Sequence, residues 1–121
     1  MMKPIQKVLS SLSNHDYYVK HLEILNPILN VQLTGKEIEV LAGFMSLQGD
    51  LVEKDRFGTQ ARKTIREQLG MSSGGLGNHL GELRDKGFIF ENDEKKYEIR
   101  QFLIPNDNAQ GYQFKIFKAN E

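Results

Sequence analysis

The residues able to do chemistry in this chain are few. It holds three histidines, His15, His21 and His79, and no cysteine. Without cysteine, disulfides, thiolate metal sites and thiol nucleophiles are excluded together. The histidines have neither the spacing nor the neighbours of a metal site, and His79 reads as a packing residue or a phosphate contact. Gly74-Gly75-Leu76-Gly77 superficially suggests a phosphate loop, but it lacks the Gly-Lys-Ser/Thr ending and follows a helical pattern instead of a strand. No nucleophile elbow is present, and nothing marks a carboxylate pair for acid–base work. The expectation is a protein that is not an enzyme and needs no cofactor.

Charge is the more informative chemistry. The 16 basic and 16 acidic residues cancel, which argues against blanket electrostatic binding to a polyanion. Along the chain they separate. Residues 54–66 carry Lys54, Arg56, Arg62, Lys63 and Arg66 against Asp55, a balance of +4. Residues 95–118 carry Lys95, Lys96, Arg100, Lys115 and Lys118 against Glu98 and Asp107, a balance of +3, and residues 67–94 between them sum to −4.

The elements that position these residues follow from periodicity. At 121 residues, 39% hydrophobic and 26% charged, the chain has the size and composition of one globular domain. No apolar run approaches the roughly 18 residues of a membrane span, and the start Met-Met-Lys-Pro lacks the apolar core of a secretory signal, so the cytoplasm is the expected compartment. Residues 1–33 contain two amphipathic patterns, one at Ile5, Val8, Leu9 and Leu12, the other from Tyr17 to Leu25 and ending near Pro27. This segment is expected to pack on the rest or on a second copy, with helix-mediated dimerisation the sharper reading.

Thr34-Gly35-Lys36-Glu37 is a capping box that opens a helix with Ile38, Leu41, Ala42 and Met45 on its buried stripe, widened by Phe44 and Leu47. A further helix is predicted from Thr59, as N-cap, through Leu69. The next runs from Ser72 to about Lys86 with Leu76, Leu80 and Leu83 inward, and Gly87 stops it. The period then changes toward two in Phe88-Ile89-Phe90, Tyr97 to Ile104 and Tyr112 to Phe117, with Tyr97, Phe102, Tyr112, Phe114 and Phe117 expected in the sheet core. Helices first and a small antiparallel sheet last make the fold class α+β.

Two helices joined by Gly70-Met71-Ser72 fit the tight unit that sets a second helix into a DNA major groove. Ile65-Arg66-Glu67-Gln68-Leu69-Gly70-Met71-Ser72, followed by Leu76, Leu80, Leu83 and Lys86-Gly87-Phe88-Ile89, resembles the winged helix-turn-helix of bacterial MarR-type regulators. The resemblance covers about residues 34–118 and is strongest over 59–90. It implies N-terminal helices over 1–33 for dimerisation, a helix-turn-helix core over 34–90 and a β-wing over 88–118. By that resemblance the chain is a cytoplasmic, homodimeric regulator of transcription whose partner is double-stranded DNA. The two basic segments then flank the recognition helix, with Arg62, Lys63, Arg66, Arg100 and Lys115 as phosphate contacts. The wing is either residues 92–96, the family's usual position, or the longer turn around Asn106, Asn108 and Gln110, which is better furnished to enter a minor groove.

The sequence departs from that family on the face that would read bases. Ser73, Gly74, Gly75, Gly77, Asn78 and Gly81 occupy the outward positions, and glycine makes no side-chain hydrogen bonds to base edges. Glycines also destabilise the helix, by roughly 2–4 kcal/mol for the run. Three readings stay open. The bare backbone approaches a phosphate or groove wall, with Asn78 left to read adenine; the flat face packs against another protein; or the face is unconstrained. The second defines the alternative function, an assembly module on the same fold, such as a phage or mobile-element component docking on polymerase, replication or virion proteins.

Overall fold

A computed structural model describes residues 14–49 and 55–105. The expected helix at Ile5–Leu12 and the expected strand at Tyr112–Phe117 lie outside the described residues. Within them the architecture is α+β, with four α-helices followed by a two-stranded antiparallel sheet: α1 Asn14–Leu25, α2 Gly35–Ser46, α3 Thr59–Leu69, α4 Ser73–Asp85, β1 Ile89–Glu91 and β2 Tyr97–Ile99. No helix among the described residues is long and apolar enough to cross a membrane.

α1 gives way to a 3-10 turn, Asn26–Ile28, at Pro27, which supplies no backbone N–H to continue the ladder. The Asn26 side chain then closes the following loop, donating to Leu33 O at 3.0 Å and accepting from Leu33 N at 2.7 Å. Leu33 is thereby drawn into the core just before the capping box. That box is formed as its sequence requires: Glu37 N donates to Thr34 Oγ1 at 3.2 Å and Thr34 N to Glu37 Oε1 at 2.8 Å.

α2 is buried on more than the expected stripe, because α1, α3 and α4 all pack against it. Val40, Leu41, Ala42 and Phe44 are fully inaccessible. Burial of a side chain the size of Phe44 stabilises by about 2–3 kcal/mol, and its ring also stacks on Phe57 with centroids 4.5 Å apart. At Gly43 an added Cβ would lie 3.0 Å from Ile65 Cδ1, so α2 and α3 meet where side-chain volume is missing.

α3 differs from expectation at its start. Gly58, not Thr59, is the N-cap, with no side-chain capping bond. The Asp55 side chain folds back so closely that a Cβ at Gly58 would meet its Oδ2 at 3.0 Å, so a larger residue there would require Asp55 to shift. Gly70 ends α3 in the left-handed conformation, φ 64°, and Ser72 caps α4 by accepting from Gly75 N at 3.0 Å. Leu76, Leu80 and Leu83 face inward as predicted. Gly87, at φ 85°, closes α4 as Phe88 N bonds Leu83 O at 3.0 Å.

The sheet pairs Ile89 with Ile99, Phe90 with Glu98 and Glu91 with Tyr97. Asn92 organises its turn, its Oδ1 accepting from Glu94 N and Lys96 N at 2.9 and 3.0 Å. The strand expected from Tyr97 to Ile104 stops at Ile99. A 3-10 turn at Gln101–Leu103 replaces it, burying Leu103 and leaving Phe102 59% exposed. Phe102 is therefore not sheet core. Buried His21 fixes this departure, its Nε2 lying 2.7 Å from Leu103 O.

The ends of α2 and α4 are tied by charge. Lys86 Nζ donates to Glu37 Oε1 at 2.6 Å and to Gln32 O at 3.2 Å, and the Glu37 side chain is 0% exposed. Burial by itself raises the Glu37 carboxyl; the bond from Lys86, with those from Thr34, outweighs it and holds the group below its ordinary value of 4.5. A carboxylate depressed in the folded state contributes stability that is full above the ordinary carboxylate range and lost as pH falls through the folded value. Lys86→Met leaves that carboxylate buried without its cation, with only the Thr34 bonds remaining. It is expected to cost about 3 kcal/mol in urea unfolding at neutral pH, more than Glu37→Gln, and to flatten the loss of stability in acid; equal costs for the two variants would contradict this account.

Candidate functional site

α4 turns the predicted face outward. Ser73, Gly74, Gly77 and Asn78 are exposed and Gly75 and Gly81 half-buried, while the three leucines hold the other side to the core. The N–H groups of Ser73 and Gly74 precede the helical ladder and point out of the helix start, whereas Gly75 N is taken by Ser72 Oγ. Space outside the face is open. A Cβ at Gly74 or Gly77 would meet nothing within 4 Å, and one at Gly81 only the end of Arg84, at 3.9 Å. Internal packing therefore does not require these glycines. The last turns differ in character, since Glu82 and Asp85 are exposed and acidic.

The predicted cations are less uniform than their count suggests. Arg62 donates from Nε to Phe57 O at 2.7 Å, which anchors the guanidinium beside α4. Lys63 is exposed and Arg66 half-buried on the same helix. Arg56 does not belong with them: its Nη1 donates to Phe44 O at 2.8 Å, and to Leu47 O and Met45 O at 3.3 and 3.4 Å, capping the C-terminus of α2. There it neutralises the negative end of the helix dipole. Burial lowers its pKa, with Tyr18 opposing the change. Arg100 stands apart from α4, with its guanidinium 4.3 Å from the centre of the Phe90 ring and its Nε donating to Gly87 O at 3.2 Å. Lys115, Asn106, Asn108 and Gln110 lie outside the described residues. The other candidate wing, residues 92–96, is the hairpin turn, with exposed Lys95 at φ 61°.

Arg62, Gly77, Asn78 and Gly81 come together along one concavity of about 560 Å³, which Arg84 and Tyr97 also line. Neither of the last two is a residue that local pattern marks. Arg84 lies on α4 among ordinary surface charges, and it meets Tyr97 only because the hairpin folds back, Nη1 to the phenol oxygen at 3.5 Å. A separate depression of about 750 Å³ lies between Tyr18, Met45, Arg56 and the far side of the hairpin. It is lined by charges of both signs, and no group of three His, Asp or Glu side chains among the described residues could hold a metal ion.

No protein-family model, curated protein or solved structure matches the chain.

Because the glycines of α4 face open space, Gly74→Ala and Gly77→Ala are each expected to stabilise the fold by up to ~1 kcal/mol in denaturant unfolding. Gly75→Ala should gain less, since its Cβ would stand 3.1 Å from the capping Ser72 Oγ. Destabilisation by Gly77→Ala would show that the face is already packed.

Proposed function

We propose that the chain is a winged-helix DNA-binding protein of MarR-like type, a cytoplasmic homodimer that regulates transcription by occupying duplex DNA. The observation that carries this reading is α4 itself, whose first two turns present bare backbone to open space beside the anchored Arg62 guanidinium. Lys63 and Arg66 extend the cationic edge along α3, and Arg100 and Lys115 provide phosphate contacts from the C-terminal side. In this reading Ser73 and Gly74 bring backbone N–H groups to a phosphate or groove wall, Gly75 adds bare surface beside them, and Asn78 is the side chain suited to adenine. The acidic Glu82 and Asp85 lower the positive potential along the last turns of the helix. Affinity comes mainly from phosphates, so little discrimination between base sequences is expected from α4.

The competing reading, a protein-docking module, is favoured by the same open glycine face with its acidic edge. The two separate on one experiment. The full chain is titrated against pooled genomic duplex fragments at rising salt. DNA binding predicts affinity at low salt that falls by about 0.9 log units per log unit of salt for each phosphate contact, and its loss on Arg62→Ala with Arg66→Ala. Gly77→Ala with Gly81→Ala is expected to weaken duplex binding while stabilising the helix. No duplex affinity at low salt would sink the proposal, and full affinity in the glycine variant would assign the face to protein.

A further inference from the structure

The concavity between α4 and β2 has a construction that the basic segments do not account for. We infer that it seats a single phosphodiester of the duplex backbone, lined by Arg62 from α3, by Gly77, Gly81 and Arg84 from α4, and by Tyr97, whose hydroxyl lies beside Arg84. This rests on the DNA-binding reading above and adds two residues, Arg84 and Tyr97, to it.

Arg62 and Tyr97 are both positioned by one residue. The Phe57 carbonyl holds Arg62 Nε at 2.7 Å, and the Phe57 ring meets the Tyr97 ring edge to face with centroids 6.4 Å apart. Arg62 keeps its two terminal nitrogens without hydrogen bonds among the described residues, so its fork is oriented and still has donors to give. Arg84 is held at Nη1 by the Tyr97 oxygen at 3.5 Å, and at Nε and Nη2 by Asp85 Oδ1, both at 3.4 Å. Those bonds are long and leave guanidinium hydrogens available. Tyr97 accepts from Arg84 and so keeps its own O–H to donate.

The lining of the concavity explains the glycines at this end of the helix. A Cβ at Gly81 would stand 3.9 Å from Arg84 Nη2 and narrow the approach to that nitrogen. At Gly77 it would project into unfilled space. The ligand's charge is constrained as well. Glu82 and Asp85 border the concavity and oppose the two arginines, which disfavours a multiply charged anion. A phosphodiester carries one charge on two non-bridging oxygens, enough to face both guanidinium groups, and its flanking sugars are neutral.

The test is the salt dependence of binding by the full chain to a labelled mixed-sequence duplex. Arg62→Gln with Arg84→Gln is expected to reduce the slope of log affinity against log salt by about 0.9, the value for one phosphate. An unchanged slope, or a fall of about 1.8 for two separate phosphates, overturns the inference. Arg84→Gln alone, at an exposed position whose loss leaves the core intact, is expected to weaken binding at fixed salt by at least about threefold, and unaltered affinity also overturns it. Inorganic phosphate distinguishes a free-anion site: if at matched ionic strength it displaces duplex from wild type but not from the Arg84 variant, the seat takes free phosphate and the inference fails. Wild type without any duplex affinity removes the DNA-binding reading and this one with it, whereas wild-type affinity with an unaffected slope removes only the seat.

Discussion

The orientation of α4 depends on the Glu37–Lys86 ion pair. Glu37 is the inner residue of the capping box that starts α2, and Lys86 is the C-cap residue of α4. One carboxylate oxygen accepts from both Thr34 N and Lys86 Nζ, so a local helix start and a long-range helix contact share a single acceptor. Removing one partner would leave the other charge without its match, which is why such a pair specifies an arrangement more than it adds net stability. The leucines of α4 supply the burial. The ion pair ties down the C-terminal end of α4, and the inward leucines leave the glycine-lined first turns facing out.

That division explains an otherwise unfavourable helix. A helix with four glycines on its outer face is weak by propensity, and its persistence follows from tertiary anchoring at the leucines, the Ser72 cap and the Gly87 turn. Bulk removed from the surface yields a face whose chemistry is backbone. Such a face can approach another backbone closely, and it has little with which to distinguish bases. Arg62, held by the Phe57 carbonyl, and the Arg84–Tyr97 pair place donors beside that surface without filling it.

Much of the fold was legible because its signals are local. The capping box at Thr34, the left-handed Gly70, the cap at Ser72 and the leucine spacing of α4 each determine their element within a few residues. The misses are long-range. In the sequence Arg56 only adds to the basic balance of residues 54–66, and the fold brings it to the carbonyls that end α2. The apolar run after Tyr97 reads as a continuing strand, yet His21, 82 residues from Leu103, pins a 3-10 turn there and turns Phe102 outward. Lys86 reads only as the last residue of a helix, since Glu37 is 49 residues away. Of the candidate site, the outward face of α4 was readable from periodicity. The Arg84–Tyr97 contact was not, because these two residues acquire their meaning only when the hairpin folds back.

The central claim is that the outer face of α4 meets duplex DNA. The most direct measurement is amide chemical-shift mapping of the isotopically labelled full chain with a mixed-sequence duplex at low salt. The largest changes are predicted at Ser73, Gly74, Gly75, Gly77 and Asn78, with smaller ones along Arg62 to Arg66. Changes confined to another surface, such as the exposed Ile28 and Val31 after α1, or no changes on α4 at all, would contradict it.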